Sequence, residues 1–422
     1  MSDQPLFDRP LTRRTVLVGG SLAGFAAFLA ACGTQGTANT PAAATAGPTA
    51  TFPGGASVAP ATTGTEPTAA AVRATPSAEL NWANWCCYLD VDPADATKWK
   101  TLEDFQAAYG TAVTYQEIID ANEGFVGTIA NQITANQDPG WDIITVTDWM
   151  VARLVRLGWA EEFDLANMPN FVANVRDVYK DQEWDAGMKH HAPWQTGMTG
   201  LGYDPAVTGE LTSVSALFTV DTRWKGKTEY LNEMRDAVGL AMLAAGLDPR
   251  TPTRDGCDRA VEIMQKAKAD GIVRDVAGNY YTEDLSSGAA VLCMAWSGDV
   301  VGLAVDAPTV KFVFPDEGAM FWTDNCVIPK GAMHKGTAEL LIDYCYVPEH
   351  AAQIEAGVAY VTPVKGVQEI FAASTDAAIK ALATDPLRFP PASLSPKLVP
   401  FGILNEADEA YFNQQFAKVI GV

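Results

Sequence analysis

Six aromatic residues stand beside the ends of apolar runs in this 422-residue chain, and acidic residues keep company with them. Trp85 and Tyr88 follow the run 80–85, Trp149 follows the run ending at Val146, and Trp296 closes the run 290–296. Trp322 lies in FWTD and Tyr360 in VAYVTP. Asp299 comes three residues after Trp296, Asp324 two after Trp322, and Glu233 and Asp236 share one helical face. An ammonium leaving water needs a carboxylate partner, and each aromatic face it meets contributes about 0.5–2 kcal/mol. Flat rings also pack on a methylene chain. The combination suits an organic cation on an alkyl backbone. A sugar site also uses aromatic platforms, but with more neutral amides and fewer carboxylates. Each residue has a structural use as well. A Trp at a strand end packs in a core, Glu233 and Asp236 complement a helix N-terminus, and Asp299 does so behind a Ser297 cap. Asp324 has less structural excuse, because alternation along a strand puts it on the same face as Trp322.

Charge narrows the classes. The 51 acidic residues exceed the 29 basic ones, a formal charge of -22, and four basic against three acidic residues precede Glu79, so the whole excess lies after it. Such a body repels a phosphate backbone, which excludes nucleic acid as a partner, and tolerates cations. The chain holds no GxSxG, HExxH or SxxK, and no Cys set with a nearby His, so no hydrolase machinery is legible. Glu233 and Asp236 at i and i+3 cannot flank a glycosidic bond from opposite sides. The four His and seven Cys show no zinc spacing and no disulfide framework, so neither a metal site nor a cofactor is expected. Cys86 and Cys87 are adjacent, do not easily join across one trans peptide, and are expected to be free or paired elsewhere.

Elements of alternating type must position these residues. The runs 80–85, 112–116 and 141–146 read as strands and 94–109 and 123–135 as helices, an order that predicts a parallel sheet covered on both faces. A second series has strands at 198–203, 290–296 and 321–328, with helices at 233–245, 255–269 and 337–346. Two such α/β units without a low-complexity linker predict two lobes joined by short crossings. Ligands in these folds collect beyond the carboxyl ends of strands.

The N-terminus is of another kind. Arg13 and Arg14 precede the uncharged run 15–31, the pattern of a signal peptide over 1–32 exported by the twin-arginine route. The end Leu29-Ala30-Ala31-Cys32 resembles a lipobox, with Cys32 as the lipidated residue anchoring the protein on the outer side of the cytoplasmic membrane. From 33 to 78, 39 of 46 residues are Ala, Gly, Pro, Ser or Thr. That stretch cannot bury enough apolar surface to offset its ordering entropy and is expected to be a disordered tether of roughly 35–40 Å.

Six segments, NWCCYLD (84–90), WDIITVTDW (141–149), LNEMRDAV (231–238), MAWSGDV (294–300), EGAMFWTDNCVIP (317–329) and AYVTP (359–363), together resemble the bacterial polyamine-binding proteins. Those are the spermidine and putrescine receptors of ABC importers. The resemblance implies an α/β, two-lobed type II periplasmic-binding-protein fold, each lobe a mixed, mostly parallel sheet flanked by helices, with the ligand cleft at the hinge. Lobe 1 is expected at about 79–197 plus 325–360 and lobe 2 at about 198–324 plus 361–422. The resemblance also implies a monomer that performs no chemistry and delivers putrescine or spermidine to a membrane permease. Carried over by motif, Trp85, Tyr88, Trp149, Trp296, Trp322 and Tyr360 form the aromatic box, and Thr147 stands where the family usually has an amine-contacting Ser. Asp299 with Asp324 and Glu233 with Asp236 form two carboxylate clusters, one for each end of the ligand. Asp299 in WSGD is closer to the putrescine-type pattern. Two departures stand out: Cys87 replaces a carboxylate, and the family's late polar contact falls near the apolar Phe401. Another amino-alkyl or guanidinium compound, or a sugar, remains open as ligand.

Overall fold

The structure, a computed structural model, describes residues 73–92, 94–180, 182–303 and 307–421. The expected signal peptide, Cys32, and the tether up to residue 72 lie outside the described residues. The last residues of the expected tether are bonded to the body. Ala74 N–H donates to Asn167 Oδ1 at 2.7 Å, Ser77 N–H to Thr337 Oγ1 at 2.8 Å, and Arg73 pairs with the buried Asp343.

The first unit runs β1 (Glu79–Trp85), α1 (Lys100–Tyr109), β2 (Ala112–Ile119), α2 (Asn122–Thr134), β3 (Ile143–Thr147) and α3 (Asp148–Leu157). The second runs β4 (Ala192–Tyr203), β5 (Thr228–Leu231), α4 (Met234–Ala244), α5 (Arg254–Ala269), β6 (Val273–Ala277), α6 (Tyr281–Ser287), β7 (Leu292–Trp296) and α7 (Ser297–Leu303). Then follow β8 (Lys311–Val313), β9 (Ala319–Val327), α8 (Lys335–Cys345), α9 (Pro348–Gly357), β10 (Leu398–Pro400) and α10 (Glu406–Ile420).

One mixed sheet takes the order β2-β1-β3-β9-β4-β7-β5-β6, with β8 on β4 and β10 on β9. β1, β2 and β3 run parallel, as do β5, β6 and β7, while β4 and β9 cross the middle antiparallel to each other, β9 antiparallel to β3 and β4 to β7, with β10 parallel to β9. The chain passes between two parallel arrays on these two long strands, which is the two-lobed α/β arrangement. The buried runs of β3 and β7 are continuous rather than alternating because helices cover both faces. β6 escapes this pattern: its Arg274 and Asp275 are exposed at the sheet edge, so the segment is neither apolar nor alternating. The helix Val367–Ala373 packs on α9 and carries the helix Ala377–Leu382 on its other side, whereas α10 packs on α4 and α5.

The expected helix over 94–109 begins only at Lys100, since Asp95–Trp99 pairs with Val91–Asp92 in a two-stranded ribbon. The carboxylate of buried Asp90 accepts from Thr101 N–H at 3.1 Å and from Gln353 Nε2 at 2.8 Å, fixing the first turn and tying it to α9. Asp90→Ala is expected to cost about 1–2 kcal/mol in urea unfolding, against under about 0.5 for the surface control Glu262→Ala. Equal midpoints for the two variants would remove Asp90 from this role.

Candidate functional site

The carboxyl ends of two pairs of parallel strands, β1 with β3 and β5 with β7, converge on one open cavity with an empty volume of about 720 Å³. β1 ends in Trp85, with Tyr88 in the turn beyond it; β3 ends in Thr147, and the first turn of α3 adds Asp148 and Trp149. β5 leads through Glu233 into α4 with Arg235 and Asp236, and β7 ends in Trp296, with Asp299 in α7. The crossing strand β9 brings Trp322 and Asp324, and the loop after α9 brings Tyr360. All eleven ligand-site residues expected from the sequence therefore line a single cavity. Cys86, Asn122, Asp148, Arg235, Phe321 and Phe401 also line it. Asn122 carried a usable signal, since it too opens a helix directly after a strand. Arg235 carried none, because a basic residue between two acidic ones, Glu233 and Asp236, reads as solvated surface.

The carboxylates are held by neutral donors. Asp324 lies opposite Thr147 in the β9–β3 register and accepts from Thr147 Oγ1 and from Tyr88 Oη, both at 2.7 Å. Asp236 accepts from Thr199 Oγ1 at 2.7 Å and Trp296 Nε1 at 3.0 Å; Asp299 accepts from the hydroxyls of Tyr281 and Tyr360, each at 3.0 Å. Glu233 makes no side-chain cap on its own helix. It reaches across to the start of α2, where Asn122 N–H and Nδ2 donate to it at 3.0 and 3.2 Å. Loss of water pushes the Asp324 and Glu233 carboxyls up to about 7, and those of Asp236 and Asp148 up to about 6. In Asp324 the charges of Asp148 and Glu233 add to that rise; in Glu233 the charge of Asp236 does, while the Arg235 guanidinium opposes it in Glu233, Asp236 and Asp148 without cancelling it. Such a cluster is short of positive charge. A cation entering it supplies what hydroxyls and an indole cannot.

The rings brace one another at steep angles. Tyr88 meets Tyr360 at a centroid distance of 5.3 Å, Trp322 meets Tyr360 at 5.6 Å, and Trp85 meets Trp296 at 6.4 Å. Two glycines make room for them. A Cβ on Gly298 would lie 2.4 Å from the Tyr360 ring, and one on Gly197, the cross-strand partner of Trp322, would lie 2.4 Å from that indole. Gly298→Ala should push Tyr360 off Asp299, lower Tm by a few degrees and weaken ligand binding about tenfold, as overpacking of this size costs about 1–3 kcal/mol. Gly124→Ala, where a Cβ meets nothing, is the control. Equal calorimetric affinities in the two variants would mean that Tyr360 plays no part.

Trp149 is placed differently from the other rings. The guanidinium of buried Arg235 lies 3.6 Å from its centroid and pairs with Glu409 of α10, which also accepts from Arg153 at 2.9 Å. One face of this indole is already covered by the Arg235 cation, and the Arg153 guanidinium lies 5.2 Å from the same ring.

Comparison with known proteins agrees with this geometry. Residues 100–384, more than half of the chain, match the family model described as bacterial extracellular solute-binding protein. The putrescine-binding periplasmic protein SpuD of Pseudomonas aeruginosa is 25% identical over 81% of this chain and 91% of its own length. Spermidine/putrescine-binding periplasmic protein 1 of Haemophilus influenzae is 23% identical over 69% of this chain and 78% of its own. Among solved structures, the spermidine/putrescine ABC transporter substrate-binding protein PotD of Streptococcus pneumoniae superposes with a TM-score of 0.64 at 19% identity, covering 81% of this chain and 98% of that one. The same fold carries other ligands: AgtB of A. tumefaciens R10, solved with agropinic acid, has a TM-score of 0.60 at 17% identity over 82% and 96% of the two chains. The length of the match and the shared two-lobed fold make this chain a member of the bacterial extracellular solute-binding protein family.

Proposed function

We propose that this protein is a receptor for a polyamine, putrescine or spermidine, which it captures outside the cytoplasm and hands to the permease of an ABC importer. The observation that carries this reading is the set of buried carboxylates whose hydrogen-bond partners are all neutral, walled by aromatic rings. Asp324 and Asp299 receive one ammonium; Glu233 and Asp236 receive the other. The methylene chain lies against Trp85, Trp296, Trp322 and Tyr360, with Tyr88 and Thr147 holding Asp324 in position. Lobe 1 comprises about 79–197 plus 325–360 and lobe 2 about 198–324 plus 361–422, and closure of one on the other excludes water. The receptor acts as a monomer, needs no cofactor, is exported by the twin-arginine route and is tethered through lipidated Cys32.

A second reading has support of its own. Arg235 already covers Trp149, and Cys87 stands where polyamine receptors carry a carboxylate, so a shorter amine or a guanidinium compound also suits the cavity. A melting-temperature screen against amines of graded length, guanidinium compounds and sugars tests both. Ligand at about 100 times its Kd adds about 2.7 kcal/mol, so the best-fitting chain length shows as the largest rise. A rise with sugars and none with any amine would overturn the receptor assignment for cations.

A further inference from the structure

The turn between β1 and Tyr88 carries chemistry that amine binding does not use. Cys86 and Cys87 are both exposed, and their sulfurs lie 2.7 Å apart. That is about 0.7 Å beyond a disulfide bond of roughly 2.05 Å. Neighbouring side chains on an extended strand point to opposite faces; here the backbone of Cys87 has φ 65°, the left-handed region that a side chain seldom adopts, and both sulfurs point the same way. The bend is held from outside: Cys87 N–H donates to Glu117 Oε1 at 3.0 Å, and Tyr88 is anchored on Asp324. The other four described cysteines, Cys257, Cys293, Cys326 and Cys345, are buried, so an oxidant in solution meets only this pair. Cys86 also lines the ligand cavity. The family acts outside the cytoplasm, where disulfides form and persist.

We propose that Cys86 and Cys87 are a reversible redox site, closed to a vicinal disulfide by a disulfide oxidant, and that closure displaces the Trp85–Tyr88 turn and weakens ligand binding. The hydrogen bond shared with Cys87 holds the Cys86 thiol well above its ordinary range, so Cys87 makes the first attack. Its thiolate displaces one RS⁻ from RSSR to form a mixed disulfide; the Cys86 sulfur, giving up its proton, then displaces the second RS⁻ and closes an eight-membered ring. Two thiols lose two electrons and two protons, and RSSR becomes two RSH. Closing a ring around a single peptide unit turns that unit, and its neighbours move with it. On one side Trp85 meets Trp296; on the other Tyr88 holds Asp324. The binding half of this proposal rests on the amine-receptor reading, and the redox half does not.

The purified full chain is equilibrated with oxidised glutathione, then alkylated, digested and weighed. The peptide with both cysteines should take up no alkyl group and weigh two hydrogens less than its free-dithiol form, and dithiothreitol before alkylation should restore two alkyl groups. Hydrogen exchange of amides 85–90 should rise about threefold or more in the oxidised form. Calorimetry with putrescine as probe should give a Kd about five- to tenfold weaker after oxidation, and the Cys86→Ser/Cys87→Ser variant should not respond. Stable glutathione adducts on either cysteine without ring closure, or a ring that leaves both exchange and affinity unchanged, overturn the proposal. If no amine binds in either redox state, the receptor reading fails, while mass and exchange still decide the redox site.

Discussion

Asp324→Asn is expected to weaken binding of the preferred amine by two to three orders of magnitude, because breaking a buried ion pair costs about 3–5 kcal/mol. Asn matches Asp in shape and keeps a carbonyl oxygen to accept from Tyr88 or Thr147, so the loss isolates charge. Asp324 is 3% exposed and accepts from two hydroxyls, so water cannot take its place beside a bound ammonium. The ligand-free variant should be at least as stable as wild type at pH 8, since it no longer holds an ionised carboxyl away from water. A melting temperature that stays up while affinity collapses separates a binding residue from a folding one. Wild-type affinity in the Asn variant, measured calorimetrically, would place the ammonium elsewhere in the cavity.

Affinity for any alkylammonium ligand should fall steeply with acidification, by about 100-fold or more between pH 8 and pH 5. An alkylammonium of pKa about 10.4 stays charged throughout, so the protein supplies the whole effect. The Asp324 and Glu233 carboxyls are raised to about 7 and those of Asp236 and Asp148 to about 6, so below these values the free site holds protons that a cation must expel. Binding therefore releases protons, and calorimetry in buffers of different ionisation enthalpy counts them. The stability of the ligand-free protein responds with the opposite sign. A carboxyl whose folded pKa lies above its unfolded one contributes stability below the unfolded value and loses it as pH rises to the folded value. The stability of Asp324→Asn relative to wild type should accordingly grow between about pH 4 and pH 7 and stay level above. A flat Kd across this range would mean that the carboxylates do not meet the ligand's charge.

Much of the positioning was legible before any coordinates. Trp85, Thr147, Trp296 and their neighbours were marked by a local rule: residues just past buried strands gather where strand ends open, and each strand was visible as a run of apolar residues. Other elements left weaker traces. β6 sits at the sheet edge with Arg274 and Asp275 in solvent, and the start of α1 depends on Asp90, ten residues upstream and shared with Gln353 of α9. Neither dependence has a period along the chain.

Composition and order along the chain determined the class: an acidic body, strands alternating with helices, aromatic and acidic residues at the strand ends, and a family resemblance dense around Trp296 and Trp322. The tertiary structure decided which neutral donor serves which carboxylate, that Arg235 takes one face of Trp149, and that Cys86 and Cys87 converge beside the cavity. The physical reason is range. Periodicity reports which face of an element is buried, a property of neighbours in sequence. A carboxyl raised to about 7, or a guanidinium resting on an indole, depends on groups that meet only when elements far apart in sequence, such as β3 and β9, lie side by side.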